Sequence, residues 1–421
     1  MLEVLKTSWA LLLGILLLMV GNGLQGTLLG IRGGIEGFST LEMSIIMSAY
    51  FAGFFGGSRL TPAMIRRVGH VRVFAALGSF ISAVLILFPT LTEPWAWVIL
   101  RMIIGFCFSG VYVTAESWLN YAATNENRGK ALSLYMMVQM LGVVSAQGLL
   151  VLGDPSGFVL FVIPSVLVSI AFAPILLSVS PTPAFESAKP LSLRALYTVS
   201  PLGCVGLFLL GGIFSAQFGM SAVYATEIGL SVGQISIFVA AIYTGAVVFQ
   251  YPIGWMSDRM DRRRLIMIVS LLGGFAALAA MMLATSFTLL LIVAFVVGGM
   301  SNPLYSLLIA YTNDFLDNTD MAAASGGLVF ITGMGAIAGP LIAGWLMGQV
   351  GDGGYWLLMA ILMLSISAYA AYRMTQRPAT PIDEVGAYIK VLPSASHVAL
   401  EAAQEWAVEA AEDDKSETTE P

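Results

Sequence analysis

The chain has 421 residues, of which 58% are apolar and only 10% charged. Soluble domains carry roughly 25% charged residues, so a soluble enzyme or a nucleic-acid-binding module is excluded as the body of the protein. The formal charge of −6 does not describe that body: residues 378–421 hold ten acids and two lysines, a net −8, which leaves +2 on the first 377 residues.

Twelve apolar runs follow one another, near residues 8–31, 42–60, 73–91, 95–116, 130–152, 157–178, 200–226, 234–256, 265–284, 286–311, 323–347 and 354–373. Runs of this kind read as membrane spans. They do not alternate apolar and polar residues as barrel strands do, so they are helices. The first run, Trp9 to Ile31, is too long for the apolar part of a signal peptide and reads as a span. Cys107 and Cys204 sit inside runs and read as packing residues. Neither a metal nor a cofactor is implied.

Polar side chains inside hydrocarbon are costly and therefore face protein or water. Span 1 carries Asn22 and Gln25. Span 4 carries Arg101, with Glu116 near its inner end. Span 5 carries Gln139 and Gln147, span 7 Gln217, span 8 Gln250, and span 10 Asn302 with Tyr305 one turn on. Spans 3, 6, 9 and 12 carry no such group. A period of three helices results: the first member of each triplet faces a shared cavity and the third faces lipid. The expected cavity residues are Asn22, Gln25, Arg101, Gln139, Gln217, Asn302 and Tyr305. Amides that simply bond neighbouring helices are the bland alternative for any one of them. Arg101 stays charged; it either meets a solute or is paired structurally. Glu116 is the candidate for proton coupling, or else an inner-end acid bonded to the loop around Arg128. The two lie fifteen residues apart on one helix, roughly 22 Å along its axis, and cannot touch.

Topology follows from the basic residues. With both termini in the cytoplasm, Lys6, Arg59, Arg66, Arg67, Arg72, Arg128, Lys130, Lys189, Arg194, Arg259, Arg262, Arg263, Arg264, Arg373, Arg377, Lys390 and Lys415 fall inside, and Arg32 alone falls outside. Positive charge is retained on the cytoplasmic side during insertion. The division of the chain is then a six-helix bundle over 1–179, a Pro-rich cytoplasmic linker over 180–199, a second six-helix bundle over 200–373, and an acidic, partly disordered cytoplasmic tail over 374–421. Within the tail, the stretch from His397 to Glu412 is either a short helix or a solvated coil. The loops after spans 2 and 8 occupy equivalent places and are both basic, which points to a repeat of six spans.

Gly254-Trp-Met-Ser-Asp258-Arg259-Met-Asp261-Arg262-Arg263-Arg264 follows span 8, Arg101-x-x-x-Gly105 lies in span 4, and Gly335-x-x-x-Gly339-Pro340-x-x-x-Gly344 lies in span 11. These stretches resemble the loop signature, the span-4 motif and the Gly-Pro helix motif of the major facilitator superfamily. Glu116-Ser-Trp-Leu119, Gly69-His-Val-Arg72 and Tyr251-Pro-Ile-Gly-Trp255 are similar to its YcaD-like bacterial subgroup. The resemblance covers residues 1–373 and implies an all-α membrane protein, twelve transmembrane helices in two pseudo-symmetric six-helix bundles. It implies a gating role for Gly254, Asp258, Arg259, Arg262 and Arg263, with the Asp258 carboxylate docking on a helix terminus of the opposite half. The loop after span 2 departs from the signature, with Thr61, Pro62 and Arg66 where an aspartate is expected, and span 5 lacks the Gly-Pro motif.

The expected function is secondary active transport of a small organic solute, anionic or amphipathic, across the inner membrane by alternating access. Protons are the candidate coupling ion, and a monomer is the working unit. A passive facilitator of the same fold and a non-transporting membrane sensor or receptor are the alternatives. Gly21-Asn-Gly23-Leu-Gln-Gly26 copies the dinucleotide-binding spacing, but it lies in mid-membrane with no strand before it. No P-loop, zinc-protease or nucleophile-elbow pattern is present, so an enzyme is not expected. The basic loops are short and membrane-adjacent, which argues against a nucleic-acid partner.

Overall fold

A computed structural model describes residues 2–122, 125–177, 191–283, 286–377, 388 and 390–406. Among these residues all regular structure is helical. The first half holds α1 (Leu2–Ile35), α2 (Thr40–Val68), α3 (His70–Leu87), α4 (Pro94–Ala122), α5 (Asn125–Leu150) and α6 (Val159–Leu177). A short α7 (Leu193–Val199) belongs to the linker. The second half holds α8 (Pro201–Glu227), α9 (Val232–Ser257), α10 (Arg262–Leu283), α11 (Phe287–Ser301), α12 (Pro303–Asn313), α13 (Asn318–Val350) and α14 (Gly354–Gln376).

Ten stretches are long and apolar enough to cross a membrane by length and composition, with α11 and α12 counted together as Phe287–Asn313. α2, whose apolar part is diluted by Glu42 and by serines and glycines, and α6, whose apolar part is the shorter Val159–Ala173, are not among them, yet both take full places in the bundle. α11 and α12 form one span broken at Pro303, which has no N–H to give to the helix ladder. The chain thus makes twelve spans.

Packing repeats between the halves. α2 packs on α4 as α9 packs on α11; α1 packs on α5 and α6 as α8 packs on α13 and α14; α3 packs on α4 and α6 as α10 packs on α11 and α14. Glycine makes the first of these contacts in both halves. A methyl group at Gly53 would run into the Met102 carbonyl and one at Gly105 into the Tyr50 carbonyl; one at Gly245 would meet the Phe295 carbonyl and one at Gly298 the Ile242 carbonyl. Small residues let backbones approach this closely where lipid supplies no hydrophobic drive. Even the helix starts match: Ser39 and Glu42 form a capping box on α2, and Ser231 and Gln234 form one on α9.

The two faces of the bundle differ. One carries the ends of α2 and α9, the linker helix and the tail, and with them most of the described Lys and Arg residues; it is called the basic face below. The other carries Arg32, which is neutralised there by Glu36 at 2.6 Å and by the carbonyls of Pro155 and Ser156. At this opposite face the halves touch directly. Thr40 Oγ1 donates to Glu227 at 2.9 Å, Ser48 Oγ to the Ile337 carbonyl at 2.6 Å, and Ser236 Oγ to the Gln147 carbonyl at 2.5 Å. Gly34 faces Thr226 and Gly344 faces Ser44 with no room for a methyl group.

At the basic face the tail lies between the halves. Residues 397–406 form a helix, and Ala399, Leu400, Ala402 and Ala403 are buried. Of the two expectations for this stretch, helix or solvated coil, the helix is present as far as it is described; residues 407–412 lie outside the described residues. So do 178–190 of the linker and the side chain of Arg128.

Candidate functional site

A cavity lies between the halves near the middle of the bundle. Its walls come from α1, α2, α4 and α5 of the first half and from α8, α9, α12 and α13 of the second, together with Asn302 at the break between α11 and α12. No lining residue comes from α3, α6, α10 or α14, the third members of the triplets. Tail residues Pro393, Ser394 and Ala395 form its end toward the basic face. About 70 Å³ of free space remains inside, enough for a few waters.

Of the expected residues, Asn22, Gln139, Asn302 and Tyr305 stand on the wall. Asn22 Nδ2 donates to the Tyr112 hydroxyl at 3.2 Å and lies 3.4 Å from that of Tyr50. Tyr112 in turn donates to the Met19 sulfur at 3.2 Å. Asn302 Nδ2 reaches back to the Gly298 carbonyl at 3.2 Å, the carbonyl that its own backbone N–H also meets.

Gln25, Arg101 and Gln217 were expected on the cavity and are not among its lining residues. Gln217 Nε2 is bonded to Ser301 Oγ at 2.9 Å, on the helix beside it. Arg101 lies behind Tyr50, its guanidinium 4.8 Å from that ring and one nitrogen 3.1 Å from the Met47 sulfur. Its other two nitrogens, and both amide atoms of Gln25, are buried without a hydrogen-bond partner among the described residues. Hydropathy shows which helix carries a polar group but not which way it turns: Arg101 and Gln217 turn toward neighbouring helices, and Gln25 is buried off the cavity wall.

The rings that dominate the wall were not singled out from the sequence. Tyr50, Phe51 and Phe54 of α2 face Phe214 and Phe218 of α8. Tyr50 and Phe218 centroids lie 5.5 Å apart, and Phe51 and Phe214 centroids 6.3 Å apart, both across the interface. Tyr112 and Tyr243 add hydroxyl-bearing rings. The signal available was the cluster Tyr50-Phe-Ala-Gly-Phe-Phe55 and its counterpart Phe214-Ser-Ala-Gln-Phe218; apolar rings in an apolar span do not stand out from core.

Glu116 sits at the basic-face end of α4, buried beyond the cavity end. It accepts hydrogen bonds from the Tyr135 hydroxyl at 3.0 Å and from the Ser396 amide of the tail at 3.0 Å. The loop after α9 is built around arginines. Arg262 is buried, bonded to Ser257 Oγ at 3.0 Å, to the Ala310 carbonyl at 3.1 Å and to the Asp314 carboxylate. That pair ties the α9–α10 turn to the end of α12. Arg263 chelates Asp261 and donates to the Arg377 carbonyl at 2.6 Å. Arg259 is exposed over the Trp255 ring at 4.4 Å. Asp258 accepts from the Tyr388 amide of the tail at 3.0 Å and lies 3.6 Å from Arg262 of its own half. In this conformation it contacts the tail in place of the expected helix terminus. Gly254 makes that contact possible: a Cβ there would come within 2.7 Å of the Tyr388 ring.

The family model described as Major Facilitator Superfamily matches residues 11–231 and 202–392. The chain belongs to the Major Facilitator Superfamily. Among curated members, this superfamily chain is similar to the uncharacterized MFS-type transporter YcaD of Escherichia fergusonii, 26% identical over 85% of this chain and 92% of the relative. The corresponding protein of Salmonella typhimurium is 25% identical over the same shares. Among solved structures, the fold is like that of a point mutant of nucleoside transporter NupG, with a TM-score of 0.75 at 16% identity, covering 87% of this chain and 99% of that one. It is also like a bacterial homolog of the human lysosomal transporter Spinster, caught inward-facing and unoccupied, with a TM-score of 0.65 at 13% identity, covering 94% of this chain and 96% of that one. The superfamily makes this a multi-pass membrane protein of a transporter family.

Proposed function

We propose that the chain is a secondary active transporter that moves a small, uncharged, ring-bearing solute across the inner membrane by alternating access, coupled to protons. In this reading the basic face is cytoplasmic, both termini lie inside, and one chain is the working unit because it supplies both walls of the cavity. The observation that carries the reading is the cavity itself. It lies between two packed halves, is walled by matching helices of both, and is shut toward the opposite face by direct contacts between the halves. A binding site at a repeat interface with one side closed is what rocking of two bundles needs.

The solute class follows from the wall. Tyr50, Phe51, Phe54, Phe214, Phe218 and Tyr243 offer ring faces, and Asn22, Gln139 and Asn302 offer amides at its edge. Among the described residues no charged side chain lines the cavity, and Arg101 lies behind Tyr50, so an uncharged solute fits better than the anion that Arg101 had suggested. Nucleosides, carried by the structural neighbour NupG, have that chemistry. Glu116 is the proposed proton carrier because it is a buried carboxylate at the inner end of a cavity-lining span.

The test is uptake into proteoliposomes with acid outside, using a panel of labelled nucleosides, nucleobases and other uncharged heteroaromatics. Accumulation above equilibrium that collapses with a protonophore is expected. Glu116→Gln should keep exchange and lose accumulation. Tyr243→Ala should weaken binding by about tenfold, in line with loss of one stacking face at roughly 1–3 kcal/mol. Equilibration at a rate indifferent to the gradient would mark a passive facilitator and overturn the coupling.

A further inference from the structure

The segment from Tyr388 to Trp406 is inserted between the two halves rather than resting on either. Toward the first half, the Ser396 amide donates to Glu116 at 3.0 Å, and the Trp406 ring lies against Gly129, where a Cβ would come within 2.5 Å of it. Toward the second half, the Val391 amide donates to Ser306 Oγ, and Ser306 Oγ donates to the Val391 carbonyl, each at 2.9 Å. Gln250 donates to the Tyr388 hydroxyl at 2.9 Å, and the Gln404 side chain joins Asn313, at 2.9 Å, to Ser325. Leu400, Ala402 and Ala403 are wholly buried, and Pro393 to Ala395 cap the cavity. The receiving surface is therefore specific. It offers side-chain partners to the backbone at 391 and 396, slots at two glycines for Tyr388 and Trp406, and an apolar bed for an alanine-rich helix.

We propose that the vestibule at the basic face is a peptide-docking surface whose occupant is the chain's own segment 388–406, and that this segment is an autoinhibitory plug. The proposal rests on the alternating-access reading. Opening the opposite face requires the basic-face ends of the halves to close on one another, and a segment seated between them, with Val391, Ala395, Ser396, Ala399, Leu400 and Ala402 to Gln404 buried, keeps them apart. The same segment closes the exit from the cavity. The plug also holds two groups of the proposed machinery: Glu116 through the Ser396 amide and Asp258 through the Tyr388 amide. Release of the segment frees the exit, the coupling carboxylate and the loop aspartate in one step.

The experiment uses the full-length chain in proteoliposomes, with Cys107 and Cys204 replaced by alanine. A cysteine at Ser48, buried at the cross-half contact of the opposite face, reports opening of that face by its rate of maleimide labelling from that side. Two variants bracket the plug. In the locked one, Ser306→Cys and Val391→Cys are joined by oxidation. In the released one, Ala402→Glu and Ala403→Glu place charges where the docked helix is buried. Labelling at position 48 is expected to rise by about tenfold in the released variant, and to fall below wild type in the locked one until it is reduced; a tenfold change corresponds to ~1.4 kcal/mol of docking energy. A synthetic peptide of residues 388–406 should suppress labelling again in the released variant. Equal labelling in locked and released proteins of matching thermal stability would overturn the plug. Absence of solute movement in every variant, with the labelling difference intact, would overturn the transport reading and leave the docking surface standing.

Discussion

Asn22 and Arg101 meet the low dielectric of the membrane in different ways. Asn22 finds hydroxyls, and its amide becomes part of the cavity wall. Arg101 finds a ring face and a sulfur, soft partners that hold a desolvated cation by about 2 kcal/mol or more. The same logic of burial governs His397 at the start of the tail helix. Burial drops its pKa from the ordinary 6.5 to about 4, because the imidazolium would lose its water there. A histidine on a free tail would titrate near its ordinary value, so the docked segment binds fewer protons than the released one. Docking is then at full strength above about pH 6.5 and is lost as the pH falls toward about 4. The control is His397→Leu, which removes the imidazole and keeps an apolar side chain at that position. Labelling of a cysteine placed at Ala403 is expected to rise by about tenfold or more between pH 7.5 and pH 5 in the parent chain, and His397→Leu should flatten most of that rise. A pH response unchanged by His397→Leu would assign it to other groups.

At the scale of helices, the glycine-lined contacts are what make the two halves alike. Gly53 and Gly105 join α2 to α4, and Gly245 and Gly298 join α9 to α11, each pressing against a backbone carbonyl of the partner helix. Overpacking a fitted interface costs typically about 1–3 kcal/mol. Gly53→Val and Gly245→Val should therefore lower the melting temperature in detergent by similar amounts. Gly348→Val, at a position with nothing within 4 Å of an added Cβ, should leave it unchanged. Unequal losses at Gly53 and Gly245 would show that the repeat is one of outline and not of packing. The signals available in the sequence were the spacing of Gly53 and Gly57 and the Ser-x-x-Glu and Ser-x-x-Gln patterns that start at Ser39 and Ser231. The break in span 10 was available in Pro303, one residue after the amide that drew attention, and its effect is to free backbone beside the cavity.

For the molecule as a whole, the decisive feature is which end is closed. Contacts of α1 with α8, α2 with α13 and α5 with α9 join the halves, and the polar ones at Thr40, Ser48 and Ser236 lie toward the opposite face. A disulfide between Thr40→Cys and Glu227→Cys, in a chain lacking Cys107 and Cys204, should form readily in this conformation and stop solute accumulation, with recovery on reduction. Full transport by the oxidised protein would show that this face does not open during the cycle.

The number of spans, the clustering of basic residues on one face and the twofold repeat were determined by the sequence alone. Each rests on information local to one segment, namely the length of an apolar run, the charge of the loop that ends it, or the recurrence of a motif six spans on. The orientation of side chains around each span was decided by tertiary structure. Arg101 and Gln217 turn to neighbouring helices, Gln25 lies off the cavity wall, and the rings of α2 and α8 turn toward the cavity, because a helix shows its inward face only once its neighbours are in place. The place of the tail was decided in the same way. A stretch such as Ala399-Leu-Glu-Ala-Ala-Gln404 is compatible with water or with burial, and only the vestibule between the halves, with Ser306, Glu116 and Gln250 turned to meet it, selects burial.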